Sequence, residues 1–197
     1  MRLRGGTCTA WAFALLGALS ASAQAPTPAP TPAPSPAAAP ASGVSPAWKP
    51  FQELAFLTGS WVGGATLGSR FGGRVARFGP ELSGAFFVAH ASTTLAAEEG
   101  GRPEETIEEE GWIAYDRDKR KYVATWFLSN GVSAVLDVEL LPDGVRLVSR
   151  DVVNYEAGTK MRILAQRQAN GEVAWSMELA APGRDFAPWL VTSLKRR

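Results

Sequence analysis

From residue 59 to the end of the chain, apolar and polar positions alternate in short runs, each closed by a turn signal. Alternation with a period of two marks strands that bury one face. The runs predict ten strands, near residues 60–67, 71–78, 84–95, 105–115, 121–128, 132–141, 145–154, 160–168, 172–180 and 187–196. Asn130-Gly131 and Asn170-Gly171 predict two-residue hairpin turns, whose central positions need positive φ. Asp143-Gly144 and Ala157-Gly158 are weaker versions, and residues 116–120 and 182–185 supply polar turns. Ahead of the strands the period changes. Ser45 suits a cap, Pro46 a first turn, and Trp48, Phe51, Leu54 and Ala55 recur at helical spacing. They predict a helix ending near Thr58-Gly59 that covers one end of the fold with Trp48 and Phe51.

Ten hairpin-linked strands create an edge problem, because open edges expose unpaired backbone groups. Closure removes it, so the expected fold is all-β: an antiparallel up-and-down barrel of about ten strands with a short N-terminal helix. A sandwich is the competing arrangement. Two-residue turns fix a register, and a one-residue slip would reverse every face. With Asn130-Gly131 as such a turn, Phe127 lies opposite Ala134, Thr125 opposite Leu136 and Val123 opposite Val138. The same face continues through Leu147, Ser149, Asp151, Val153, Arg162, Leu164, Gln166, Val173, Trp175, Met177 and Leu179, and takes in Glu108, Glu110 and Trp112. It is the more apolar face and is assigned to the interior. The other face carries Trp126 across from Gly111, Tyr115 beside Tyr122, and an exposed pair of Asp137 with Arg150. A three-residue turn at Ala157-Gly158 would flip the faces from the eighth strand onward.

Composition changes the picture at the N-terminus. Arg2 and Arg4, the apolar run at residues 11–19 and Ala21-Ser22-Ala23 have the layout of a cleavable export signal over residues 1–23. Nine apolar residues fall short of the roughly 20 that cross a bilayer as a helix, so no membrane span is expected after cleavage. The only cysteine, Cys8, would leave with the signal. Residues 24–46 are almost wholly Pro, Ala, Thr and Ser and predict an extended spacer. Residues 47–197 then form one domain, exported to the periplasm or beyond. A net charge of +1 gives no electrostatic reason for a nucleic-acid partner.

Three segments carry a resemblance. Phe56-Leu57-Thr58-Gly59-Ser60-Trp61 is similar to the Gly-x-Trp opening of lipocalin-like, calycin-like barrels. Residues 111–116 with 121–126, and the closing residues 189–196, resemble a bacterial family of unknown function with such a barrel. The resemblance implies a fold and no established activity. Related barrels bind fatty acids, other small apolar ligands or haem. The haem binders carry a histidine on a late strand, and residues 179–190 contain none here.

The remaining chemistry is sparse. His90 is the single histidine, so a zinc site has no ligand set and a serine triad has one candidate base without a Gly-x-Ser-x-Gly elbow. No metal and no cofactor are expected. The candidate ligand-binding residues are the inward Glu110, Trp112, Phe127, Asp151, Arg162, Gln166 and Trp175, with Arg162 facing an anionic head group or simply pairing with Glu110 or Asp151. The leading expectation is non-catalytic binding of a small apolar or amphipathic ligand inside the barrel. A hydrolase or isomerase using Glu108 or Glu110, and a filled barrel used for envelope interactions, are the alternatives.

Overall fold

The computed structural model describes residues 46–197, with side chains from residue 49 onward. The export signal, the spacer and the burial of Trp48 lie outside the described residues. Ten strands follow in chain order: β1 (Gly59–Leu67), β2 (Arg70–Glu81), β3 (Phe86–Leu95), β4 (Glu105–Asp116), β5 (Lys121–Leu128), β6 (Ser133–Leu141), β7 (Gly144–Val153), β8 (Lys160–Arg167), β9 (Val173–Ala180) and β10 (Ala187–Arg196). Each pairs antiparallel with its neighbours, and β1 joins β10, so the sheet is a closed barrel without edges. The up-and-down architecture is the one the hairpin signals require.

The N-terminal segment Pro46–Leu57 is a 3-10 helix, with Pro50 inside it. Phe51, Leu54 and Leu57 are buried while Ala55 is exposed. A spacing of three is the repeat at which a 3-10 helix stacks side chains on one line, so Leu57 replaces Ala55 in the buried stripe. Phe51 sits 6.5 Å from the Phe87 ring and 6.0 Å from Tyr122, and the Tyr122 hydroxyl donates to the Pro50 carbonyl. Trp61 Nε1 donates to the Leu57 carbonyl at 2.6 Å. These contacts seat the helix over the barrel end where β1, β3 and β5 begin. Burying each large apolar side chain there contributes about 1.5–3 kcal/mol.

The register differs from the expected one in a way traceable to the turns. Asn130-Gly131 belongs to a three-residue loop: Leu128 N–H donates to the Val132 carbonyl at 2.8 Å and Gly131 N–H to the Leu128 carbonyl at 2.9 Å. Gly131 takes a φ of 86°, and Asn130 Oδ1 accepts from Val132 N–H. Asn170-Gly171 repeats the design, with Gly171 at 82° and Asn170 Oδ1 accepting from Glu172 N–H. Such loops place one glycine in the left-handed region, where a two-residue turn needs two positive-φ residues. The additional residue slides β5 by one position, so Trp126 and not Phe127 faces Ala134.

β5 and β4 are therefore reversed relative to expectation. Val123, Thr125, Phe127, Glu108, Glu110 and Trp112 point outward. Trp126 still faces Gly111, and Tyr115 still faces Tyr122, but both pairs lie inside. A side chain at Gly111 would meet the Trp126 indole at 2.1 Å, which is why that position carries none. On β7, Leu147 and Ser149 face inward as expected. A bulge between the Val135–Asp151 and Leu136–Ser149 pairs then turns Asp151 and Val153 outward and Val152 inward. The exposed Asp137–Arg150 pair forms as expected, with Arg150 reaching Asp137 at 3.0 Å across that bulge.

β8 is also reversed: Met161, Ile163 and Ala165 are buried, while Arg162, Leu164 and Gln166 face out. The slip at Asn170-Gly171 restores β9, where Val173, Trp175 and Met177 are inward as expected and Leu179 packs against the core.

Candidate functional site

The barrel interior is filled at mid-height by a polar centre built from β2, β3, β4 and β5. Arg74 on β2 and Glu109 on β4 form a bidentate ion pair with side-chain exposures of 0% and 1%. Thr93 Oγ1 on β3 accepts from Arg74 at 2.9 Å, and Trp126 Nε1 donates to Glu109 at 3.4 Å. The Arg74 guanidinium lies 5.5 Å from the Trp175 ring centroid. Trp175 in turn packs 5.3 Å from Phe78 and 5.8 Å from Trp126. Two buried charges are tolerated because each satisfies the other with two hydrogen bonds and aromatic walls exclude water.

The signal for this centre was present in the chain. Within Glu108-Glu109-Glu110 the middle residue must face opposite its neighbours, and Arg74 alternates with the buried Ala76 and Phe78.

Of the seven ligand-binding candidates, Trp175 alone faces the interior. Arg162 faces outward, stacks 4.3 Å from the Phe186 ring and pairs with Glu178, not with Glu110 or Asp151. Gln166 lies on the same outer face of β8, and Asp151 is exposed beside the β7 bulge. Glu110 accepts from Trp112 Nε1 on the outside of β4, with the Trp112 ring edge-on to Phe86 at 5.6 Å. Phe127 is 46% exposed.

The outward turn of β4 and β5 assembles a different site. One cross-strand row runs Ser60, Arg77, His90, Glu110, Phe127 over β1 to β5. It lines a groove of about 610 Å³ on the outer face, together with Val75, Ser92 and Glu108. His90 lies between two carboxylates, with Nε2 at 3.2 Å from Glu81 and Nδ1 at 4.0 Å from Glu110. Arg77 also bonds Glu81 at 2.8 Å. Val75 and Phe127, both about half exposed, form apolar walls at either side of this charged row. Because Val75 lies diagonal to His90 and Phe127 directly across from Glu110, a bound molecule would meet carbon surface and ionic groups within one strand spacing. Among the described residues no group of three or more His, Cys, Asp or Glu is arranged to hold a metal ion.

The barrel itself is similar to a solved structure. The crystal structure of Rv2717c from M. tuberculosis matches with 18% identity and a TM-score of 0.51, over 79% of this chain and 99% of that one. At that identity the likeness concerns the fold: a ten-stranded antiparallel barrel. No family model and no curated protein matches the chain.

Proposed function

We propose that this protein is a non-catalytic, exported binding module of the calycin-like type, and that its ligand is a small amphipathic molecule held in the outer groove. The observation that carries this reading is the groove's composition: Val75 and Phe127 exposed beside Arg77, His90, Glu108 and Glu110. Ligand sites pair apolar walls with a few placed polar groups, and a volume of about 610 Å³ suits a small molecule. An interior site is disfavoured because Trp126, Trp175, Phe78 and the Arg74–Glu109 pair occupy the barrel axis. The catalytic alternative required an inward carboxylate, and Glu108 and Glu110 are both exposed on the outer face.

Native mass spectrometry of the protein purified from its own host tests the proposal. The expected result is a bound small molecule that is lost in a Val75→Ser/Phe127→Ser variant with an unchanged fold. Ligand-free protein only, with no thermal shift across a panel of lipids and metabolites, would overturn it.

A further inference from the structure

Within a net charge of +1, two connections at opposite ends of the barrel differ in sign. Residues 96–104, which join β3 to β4 at the end away from the N-terminal helix, carry Glu98, Glu99 and Glu104 against Arg102. The turn joining β4 to β5 lies at the helix-covered end. There Arg117, Lys119, Arg120 and Lys121 stand exposed against Asp116 and Asp118, and Asp116 is engaged by Lys119 at 3.0 Å. Lys49 on the helix and Arg197 after β10 are exposed at the same end, alongside Glu53 on the helix and Asp143 in the β6–β7 turn. The β4–β5 turn is thus net positive and the β3–β4 connection net negative, at opposite ends of the barrel.

An apolar side chain projects from the basic end. The 3-10 turn Leu82–Gly84 joins β2 to β3, and Leu82 is 66% exposed. Leu82 has a φ of 49° and Ser83 a φ of 58°, a left-handed conformation that costs free energy for residues with a Cβ. Backbone strain of this kind persists where the surroundings enforce it, and it often marks a functional contact. The turn neighbours the basic one, because Phe86 at the start of β3 pairs with Ala114 near the end of β4.

We infer that the helix-covered end docks on an anionic lipid bilayer, with the basic turn on the head groups and Leu82 inserted among them. Charge complementarity supplies attraction, since each Lys or Arg near such a surface strengthens binding by about fivefold. Leu82 favours a bilayer over a soluble polyanion, because a polyanion offers no apolar layer to receive it.

Co-sedimentation of the full chain with phosphatidylglycerol–phosphatidylcholine vesicles, compared with phosphatidylcholine alone, tests the inference at low and high salt. The expected result is preferential binding to the anionic vesicles that weakens with salt. Arg117→Glu/Arg120→Glu should lower the partition by at least about tenfold. Leu82→Ser should lower it several-fold, and Glu98→Lys/Glu99→Lys should not weaken it. Equal partition of Arg117→Glu/Arg120→Glu and the unsubstituted chain would overturn the docking surface. Full retention of binding by Leu82→Ser would overturn the bilayer as its partner. All of these positions lie outside the core, and a thermal melt verifies that each variant folds.

Discussion

Glu109 is enclosed while Glu108 and Glu110, its neighbours in sequence, meet solvent. That single alternation decides which carboxylate belongs to the core and which two belong to the groove. Removing one partner of a buried pair leaves an uncompensated charge, at a cost of about 3–5 kcal/mol. Arg74→Met is therefore expected to destabilise the barrel by about that amount in urea unfolding. The paired Arg74→Met/Glu109→Leu change should recover most of the loss, because apolar replacement of both partners is often neutral. A double variant no more stable than Arg74→Met would show that packing around Trp175 dominates, not charge.

At the scale of elements, the 3-10 helix and the strand ends hold each other. Burial raises the Tyr122 hydroxyl above the ordinary value of 10.0, with Glu53 and Tyr115 adding to the effect. A group raised in the folded state contributes its stability below the unfolded value and loses it as pH climbs through the folded one. The helix contact should thus weaken above about pH 10. Tyr122→Phe should lower stability at neutral pH by about 0.5–1.5 kcal/mol, the worth of one hydrogen bond. It should also flatten the alkaline decline in melting temperature. An alkaline decline identical in both proteins would remove Tyr122 as its source.

The barrel as a whole is fastened outside by ion pairs that respond to acid. The hydrogen bond from Arg150 holds Asp137 below the ordinary aspartate value of 3.8, and a hydrogen bond from Ser193 with the Lys195 charge lowers Glu172 from 4.5. Backbone and side-chain hydrogen bonds from Lys119 lower Asp116 likewise. A lowered carboxylate contributes its stability above the unfolded value, and the contribution vanishes as pH falls through the folded one. Melting temperature should therefore decline as pH drops below about 4. Asp137→Asn should shallow that decline slightly, since exposed pairs contribute little. Parallel declines with and without Asp137 would exclude this pair from the acid response. The same outer surface carries the groove and, at one end, the basic turn with Leu82. On the function proposed above, binding falls to the outside of a filled barrel.

Strand number, antiparallel order, closure and the covering helix were legible in alternation and turn residues, because those signals act between neighbours in the chain. The facing of β6, β9 and the first half of β7 was legible too. What the turn residues left open was loop length: an Asn-Gly step suits two- and three-residue hairpins alike, and one residue reverses a strand. That choice was made by Trp126. Its indole needs the space above Gly111 and the Glu109 carboxylate to receive its N–H, and only the three-residue loop puts all of them inside. Packing across two hairpins, from β2 over β3 to β4, decided where Arg74 and Glu109 meet, and so which face of β4 was left for the groove.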